Sequence, residues 1–309
     1  MGRRKSGEAV SGWICLDKPY DLTSTQAVGR VRRIFNAQKA GHAGTLDPLA
    51  TGVLPIALGE ATKTVSFMME ARKTYRFTIA WGRTTTTLDR EGETSGASGV
   101  RPTIDEVEAV LGEFVGEIDQ VPPIFSAIKV GGERAYDLAR AGEAVELAPR
   151  RVVVHDARVT AAPDADHIEI QIDCGKGVYV RSLVRDLAEM LGACGHVSAL
   201  RRTRVGPFTE ARAITLENLE DLGHKAGLLE ALLPVETALD DIPELAVTAE
   251  DAFRLKQGRP IVLVPQQVDD LRSRLTAGAR TVSVLEGGTL VALCEMRMGR
   301  LEPARVFHL

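Results

Sequence analysis

The chain has 309 residues, 44% of them apolar and 26% charged, the balance of a folded globular protein with material for one large domain and a small one, or for two. Apolar runs such as IVLVP near the C-terminus are far too short to cross a bilayer, and the opening MGRRKSGEAVSG carries charge with no apolar stretch behind it. Neither a membrane span nor a secretory leader is predicted, and the expected location is the cytoplasm. The net charge of −4 argues, taken alone, against a nucleic-acid binder.

The charge is unevenly spread. Residues 1–75 hold 11 Lys/Arg against 6 Asp/Glu, a net of +5, and residues 173–206 hold 6 against 3. Residues 215–251 hold 1 against 10, a net of −9. A basic working face beside an acidic flank can bind RNA locally, although an ordinary solvated surface has the same pattern. Cys15, Cys174, Cys194 and Cys294 stand far apart and form no C-x-x-C pair, so they read as reduced thiols rather than a zinc site or a disulfide framework.

Residues 1–10 read as a loose basic tail. GWICLDKP suits a short strand ending in a Lys-Pro turn. A helix follows, with Thr23 and Gln26 at capping-box spacing and Ala27, Val31, Ile34 and Phe35 as its apolar stripe. Arg30, Arg32 and Arg33 lie mostly off that stripe. The Gly-, Pro- and Thr-rich stretch from Gly41 to Gly59 reads as an ordered loop leading into VLPIAL, a strand or a turn of helix.

Tyr75, Phe77, Ile79 and Trp81 alternate with Arg76, Thr78 and Ala80, a half-buried strand. Thr103 and Glu106 open a helix that should bury Ile104, Val107, Val110 and Leu111 and stop at Gly112. Residues 129–151 have the charged, Gly-punctuated profile of an exposed, mobile insertion. Ile168, Ile170, Ile172 and Cys174 form a second alternating strand, and a GKG turn leads through VYVR to a helix from about Ser182 to Leu191. Strands and helices without regular alternation point to an α+β fold.

A second unit begins near residue 241. Thr248 caps a short helix that Gly258 and Pro260 end, and VSVLE-GG-TLVALCEM is a hairpin with a two-glycine turn. The division is therefore residues 11–240, the larger domain, and 241–309, a small β-rich one.

The stretch GHAGTLDPLATGVLPIALGEATK, with LDKPYDLTS, KTYRFTIAWG, QVPPIFSAIKVGGERAYDLAR, CGKGVYVRSLVRDL and HVSALRRTRVGPF in the same order, resembles the bacterial TruB-type tRNA pseudouridine-55 synthases over nearly the whole chain. A lone GTLDP would be weak evidence; several long motifs in order are not. The resemblance implies a pseudouridine synthase fold, a mixed and mainly antiparallel sheet flanked by helices, with a small C-terminal PUA-like domain. It implies isomerisation of one uridine in the T loop of tRNA, with neither cofactor nor metal, by a protein expected to be a monomer without an obligatory protein partner.

In that family the acid of the GTLDP-like motif is catalytic, which falls on Asp47. Breaking a glycosidic bond and rejoining the ribose to carbon 5 of uracil needs a nucleophile or base beside both sugar and base. Without the surrounding motif, Asp47 before Pro48 would read as a turn former. Whether the acid attacks the ribose, attacks the base or removes a ribose proton is open at this level.

By the same resemblance Tyr75 stacks on the target base and Arg181 pairs with the acid through its two-pronged guanidinium. Leu200 lines the pocket beside the uracil, and Tyr179 is expected among the substrate-binding residues. His42 takes the space left by the extruded nucleotide, and Lys18 with Pro19 supports the active-site loop. From strand pattern alone Tyr75 would be a core aromatic and Arg181 one more surface cation. Phosphate contacts are expected from Arg30, Arg32, Arg33, Lys39, Arg201, Arg202 and Arg204, with residues 129–151 closing over the T loop.

The chain departs from the family twice. It has KPYD where KP-x-G is common, so Asp21 replaces a glycine. It also has TTTLD where TDT-x-D is frequent, so Thr86 replaces an acid and Asp89 remains. The competing reading is a non-catalytic tRNA-binding or tRNA-folding protein on the same fold, against which the intact Asp47, Tyr75 and Arg181 argue. A guide-RNA-dependent relative would be expected to carry a long basic tail, and no G-x-x-x-x-G-K-[ST] or G-x-G-x-x-G context suggests nucleotide-dependent chemistry.

Overall fold

The alternating segments at Tyr75 and Ile168 become neighbouring strands of one sheet. The computed structural model describes residues 7–126, 128–141, 145–223, 225–276 and 278–309. In chain order the strands of the main sheet are β1 (Gly12–Lys18), β2 (Ala40–His42), β3 (Thr51–Leu58), β4 (Lys73–Trp81) and β5 (Gly116–Gln120). Then come β6 (Arg150–Asp164), β7 (His167–Cys174), β8 (Gly195–Val205), β9 (Phe208–Thr209) and β10 (Ile214–Thr215). Across the sheet the order is β10-β1-β3-β8-β4-β7-β6-β5, with β2 beside β3 and β9 beside β8. The β1–β10 and β3–β8 pairs are parallel and the others antiparallel, which gives the mixed, mainly antiparallel sheet expected.

Period-two alternation divides the sheet into two faces. One face buries Ile14, Leu16, Leu54, Ile56, Phe77, Ile79, Ile170 and Ile172 under three helices, α1 (Ser24–Ile34), α2 (Ile104–Leu111) and α3 (Val180–Met190). The opposite face carries Trp13, Cys15, Val53, Val205 and Phe208. Leu290, Leu293 and Phe307 of the C-terminal unit join that second cluster.

The C-terminal unit is a five-stranded sheet, β11 (Glu244–Ala246), β12 (Ile261–Val262), β13 (Thr281–Glu286), β14 (Thr289–Arg297) and β15 (Arg300–Val306), in the order β11-β13-β14-β15-β12. It buries Leu255, Ile261, Leu271, Val282, Val284, Val291 and Leu301 in a core of its own. The β13–β14 hairpin turns at Gly287 and Gly288, with φ of +56° and +83°, angles that glycine adopts without a Cβ clash.

Both capping boxes form, Thr23 with Gln26 and Thr103 with Glu106. Elsewhere tertiary packing overrides the local reading. Ile104 is 44% exposed because it stands in the first turn of α2, beyond the reach of the sheet. The α2 helix ends at Leu111, but Gly112 stays right-handed and one 3-10 turn continues to Phe114. VLPIAL is a strand, and α3 starts at Val180 rather than Ser182, which places Arg181 in a helical first turn.

Glu8, assigned above to the tail, is paired: its N–H donates to the Asn36 carbonyl at 2.6 Å and its carbonyl accepts from Gln38. Residues 1–6 of the expected tail lie outside the described residues. In the expected insertion, residues 142–144 also lie outside them, and the remainder includes a hairpin of Lys129–Val130 with Glu133–Arg134 and a short helix, Ala135–Arg140.

Candidate active site

Asp47 lies in a loop that β3 and α1 hold from below. The Ser24 hydroxyl accepts from the Leu46 N–H at 2.8 Å and donates to the Leu46 carbonyl at 2.9 Å. The Lys18 ammonium, fully buried, donates to the carbonyls of Pro48, Leu22 and Pro19 at 3.1, 2.7 and 2.9 Å. Burial pulls its pKa down to about 8, against the opposing charge of Asp47. Leu46 and Leu49 are buried on either side of Asp47. The carboxylate between them is left half-exposed, aimed at an open cleft.

Asp21 completes the support. It adopts φ +57°, the left-handed conformation that a glycine would take in KP-x-G, and its N–H donates to the Pro48 carbonyl at 3.0 Å. Aspartate tolerates this region better than most side chains. The turn is therefore kept despite the substitution.

Arg181 comes from the first turn of α3 and is 4% exposed. Its Nη2 meets Asp47 Oδ2 at 2.8 Å and donates to the Phe125 carbonyl at 2.9 Å. Its Nη1 donates to the Thr87 carbonyl at 3.0 Å and lies 3.6 Å from Asp89 Oδ2. The two-pronged grip on Asp47 expected from the sequence is not present: the guanidinium divides its two ends between Asp47 and the buried Asp89. Asp89 is held in turn by the Thr87 hydroxyl at 2.5 Å and the Glu91 N–H at 3.1 Å. The surviving acid of TTTLD thus has a structural place that its spacing did not disclose.

Asp47, Tyr75, Tyr179, Arg181, Leu200 and Arg202 line one cleft of about 520 Å³. The Tyr75 ring is buried, and burial raises its phenol pKa while the Arg202 guanidinium draws it down. Tyr179, the N-cap of α3, has its backbone gripped at both ends by the Gln120 amide, at 2.8 and 3.2 Å. Burial and the charge of Asp47 raise the Tyr179 phenol, and the Ser126 hydroxyl opposes them.

His42 sits on β2 opposite Ile56, outside the cleft lining, with a buried Nδ1 that has no partner among the described residues. Burial, and then the charge of Arg202, lower its pKa. Arg30, Arg32, Arg33 and Lys39 are exposed, and none lines the cleft.

Two of the expected phosphate contacts need correction. Arg202 is 1% exposed and forms part of the cleft wall, not a surface cation. Arg201 grips both carboxylate oxygens of Asp17, at 2.9 and 3.0 Å, and also pairs with Glu210, so its charge is already neutralised. Burial of alternate β8 side chains accounts for the first case, because Arg202 shares the inward face of Leu200.

Four cations not named individually above stand around the cleft: Lys73 and Lys176, and Arg150 and Arg151 at the end of the expected insertion. The RR pair before VVV and the lysine of GKG were available as signals. Nothing short-range marked them as lying at one opening. Among the described residues no group of three or more His, Cys, Asp or Glu is placed to hold a metal ion.

Comparison with known proteins gives one consistent outcome. The description "TruB family pseudouridylate synthase (N terminal domain)" matches residues 32–180, and "tRNA pseudouridylate synthase B C-terminal domain" matches residues 181–240. The chain is 72% identical over 309 residues to the tRNA pseudouridine synthase B of Caulobacter sp. (strain K31), covering 100% of each chain. It is 52% identical over 311 residues to the protein of that name from Nitrobacter winogradskyi, covering 99% of this chain and 85% of the other. It is also similar to a chain of the "Crystal Structure of a Cbf5-Nop10-Gar1 Complex", at 27% identity and a TM-score of 0.72, covering 96% of this chain and 85% of that one. The architecture is the pseudouridine synthase fold followed by a C-terminal β domain. With its inward acid, tyrosine and arginine set in that frame, the chain belongs to the TruB family of pseudouridylate synthases.

Proposed function

We propose that this protein isomerises uridine 55 in the T loop of tRNA to pseudouridine, with Asp47 as the essential carboxylate. The relatives that carry the name tRNA pseudouridine synthase B support tRNA as the substrate. The observation that carries the site assignment is the 2.8 Å contact between Asp47 and the buried Arg181 at a cleft shared with Tyr75, Tyr179 and Leu200. A buried guanidinium at this distance fixes the direction of the carboxylate.

In this reading the uridine leaves the loop stack, which costs a few kcal/mol. The uracil lies between Tyr75 and Leu200, with Tyr179 at its edge. Asp47 meets the flipped nucleotide, the N1–ribose bond breaks, the uracil turns within the walls and its carbon 5 joins the ribose. Carbon 5 then gives up its proton to solvent, and the freed N1 takes one up. Arg150, Arg151 and Lys176, at the opening, take phosphates of the T arm, and Arg30 and Arg33 add charge on α1. Residues 241–309 act as a PUA-type domain that touches tRNA away from the reaction. The protein works as a monomer on free tRNA in the cytoplasm, which sedimentation with and without tRNA would test.

Tritium release from tRNA labelled at carbon 5 of uridine tests the reading. Wild-type protein should release it without added cofactor, and Asp47→Ala should not. Full release by Asp47→Ala would defeat the assignment.

A further inference from the structure

Arg202 is a buried cation whose place the reaction described above does not explain. It is among the largest fully buried side chains, and it has no ion-pair partner among the described residues. Removing a charge from water costs several kcal/mol unless hydrogen bonds replace the hydration. Its replacements are specific. Nε donates to the Val53 carbonyl at 2.8 Å, Nη2 to the Gly44 carbonyl at 3.1 Å, and Nη1 reaches the Thr45 carbonyl at 3.5 Å. On the other side Arg202 is the cross-strand partner of Tyr75 in the β8–β4 pair, and its positive charge opposes the rise that burial imposes on the Tyr75 phenol pKa.

Gly44 gives the loop its shape here: its φ of +95° is one that L side chains rarely adopt, while a Cβ there would make only an ordinary 3.4 Å contact with Arg202 Nη1. The carbonyls that Arg202 holds lie two and three residues before Asp47. Arg202 therefore ties the loop that presents the carboxylate, and Val53 of β3, to its own position on β8 directly opposite Tyr75.

We propose that Arg202 is a positioning residue that sets the spacing between the Asp47 carboxylate and the Tyr75 ring, rather than a contact to tRNA phosphate. The proposal rests on the assignment of Asp47 and Tyr75 above. Lysine cannot replace Arg202, because a point ammonium does not span acceptors on two walls. A displacement near 1 Å at a reacting group lowers rates by about 100-fold.

The test uses the full-length chain as Arg202→Lys and Arg202→Met with whole tRNA. The single-turnover rate at saturating protein should fall by about 100-fold in both. The dissociation constant should stay within about twofold, and the slope of log affinity against log salt should not change. Active protein is counted by tRNA-binding stoichiometry, so a variant that merely folds less well keeps its rate per bound tRNA. A wild-type saturating rate with weaker binding and a slope reduced by about 1 would identify a phosphate contact and overturn the proposal.

A second readout does not use activity. With an acidic fluorinated tyrosine at position 75, the fluorine titration should move to higher pH in Arg202→Met, because a neighbouring positive charge has been lost. An unchanged titration overturns the proposal. If Asp47→Asn were active, the assignment of the acid would fall, while this titration would still decide whether Arg202 holds Tyr75.

Discussion

Arg181 meets Asp47 through one nitrogen, Nη2 to Oδ2 at 2.8 Å, and not through a paired fork. The rest of the guanidinium is engaged with the carbonyls of Thr87 and Phe125 and with Asp89. The Asp47 side chain stays 37% exposed and lines the cleft, while the arginine is immobilised from behind.

Arg181→Lys should therefore lower the rate by about 100-fold or more, since one ammonium cannot hold Asp47 and the three other acceptors together. The tRNA dissociation constant should stay within about twofold. Single-turnover kinetics and filter binding on the same preparation check both, and an equal loss of affinity would place Arg181 on the RNA backbone instead.

Ser24→Ala removes the hydroxyl that both donates to and accepts from the Leu46 peptide. Leaving that buried peptide unsatisfied should destabilise the fold by about 1–3 kcal/mol in urea unfolding. The rate should fall more than the affinity, because the loop behind Asp47 loses one of its anchors while those from Lys18, Asp21 and Arg202 remain.

Lys73, buried at the start of β4, donates to the carbonyls of Met68, Met69 and Ala71, and burial lowers its pKa from 10.5 to about 8. Between those values the unfolded chain binds the proton that the folded chain has released. The contribution of this group therefore strengthens as pH rises through 8, and the penalty of a buried charge is fully present below it. The buried thiols of Cys15, Cys174 and Cys294, raised from 9.0 to about 12, act in the opposite sense above pH 9. Between pH 7.5 and 9, wild type should gain up to about 1 kcal/mol relative to Lys73→Met, and parallel urea curves at both pH values would sink the idea.

Phe307, 1% exposed, packs in one cluster with Trp13, Phe208 and Leu239, and the Lys63 ammonium stands 5.5 Å from its ring centre. Phe307→Ala should cost about 3–5 kcal/mol and loosen the C-terminal sheet from the catalytic one. Phe253→Ala, at a side chain 61% exposed, should shift stability by less than about 0.5 kcal/mol. Equal effects would mean that the docking cluster carries no weight.

What the amino-acid sequence determined alone is what short-range chemistry can state. The capping boxes at Thr23 and Thr103 and the Gly287–Gly288 turn depend on atoms three or fewer residues apart, and the strands at Tyr75 and Ile168 on a period of two. Asp47 was readable as an acid because an extended motif surrounds it; its own Asp-Pro context says only turn. Tertiary structure decided the rest. Lys18 reaches Pro48 across 30 residues, Arg181 reaches Thr87 across 94, and Arg202 reaches Val53 across 149. Arg201 and Arg202 are adjacent and chemically identical, yet one pairs with Asp17 on the surface side of β8 and the other enters the cleft wall. No local pattern separates them, because the face that a strand buries is chosen by the partners that cover it.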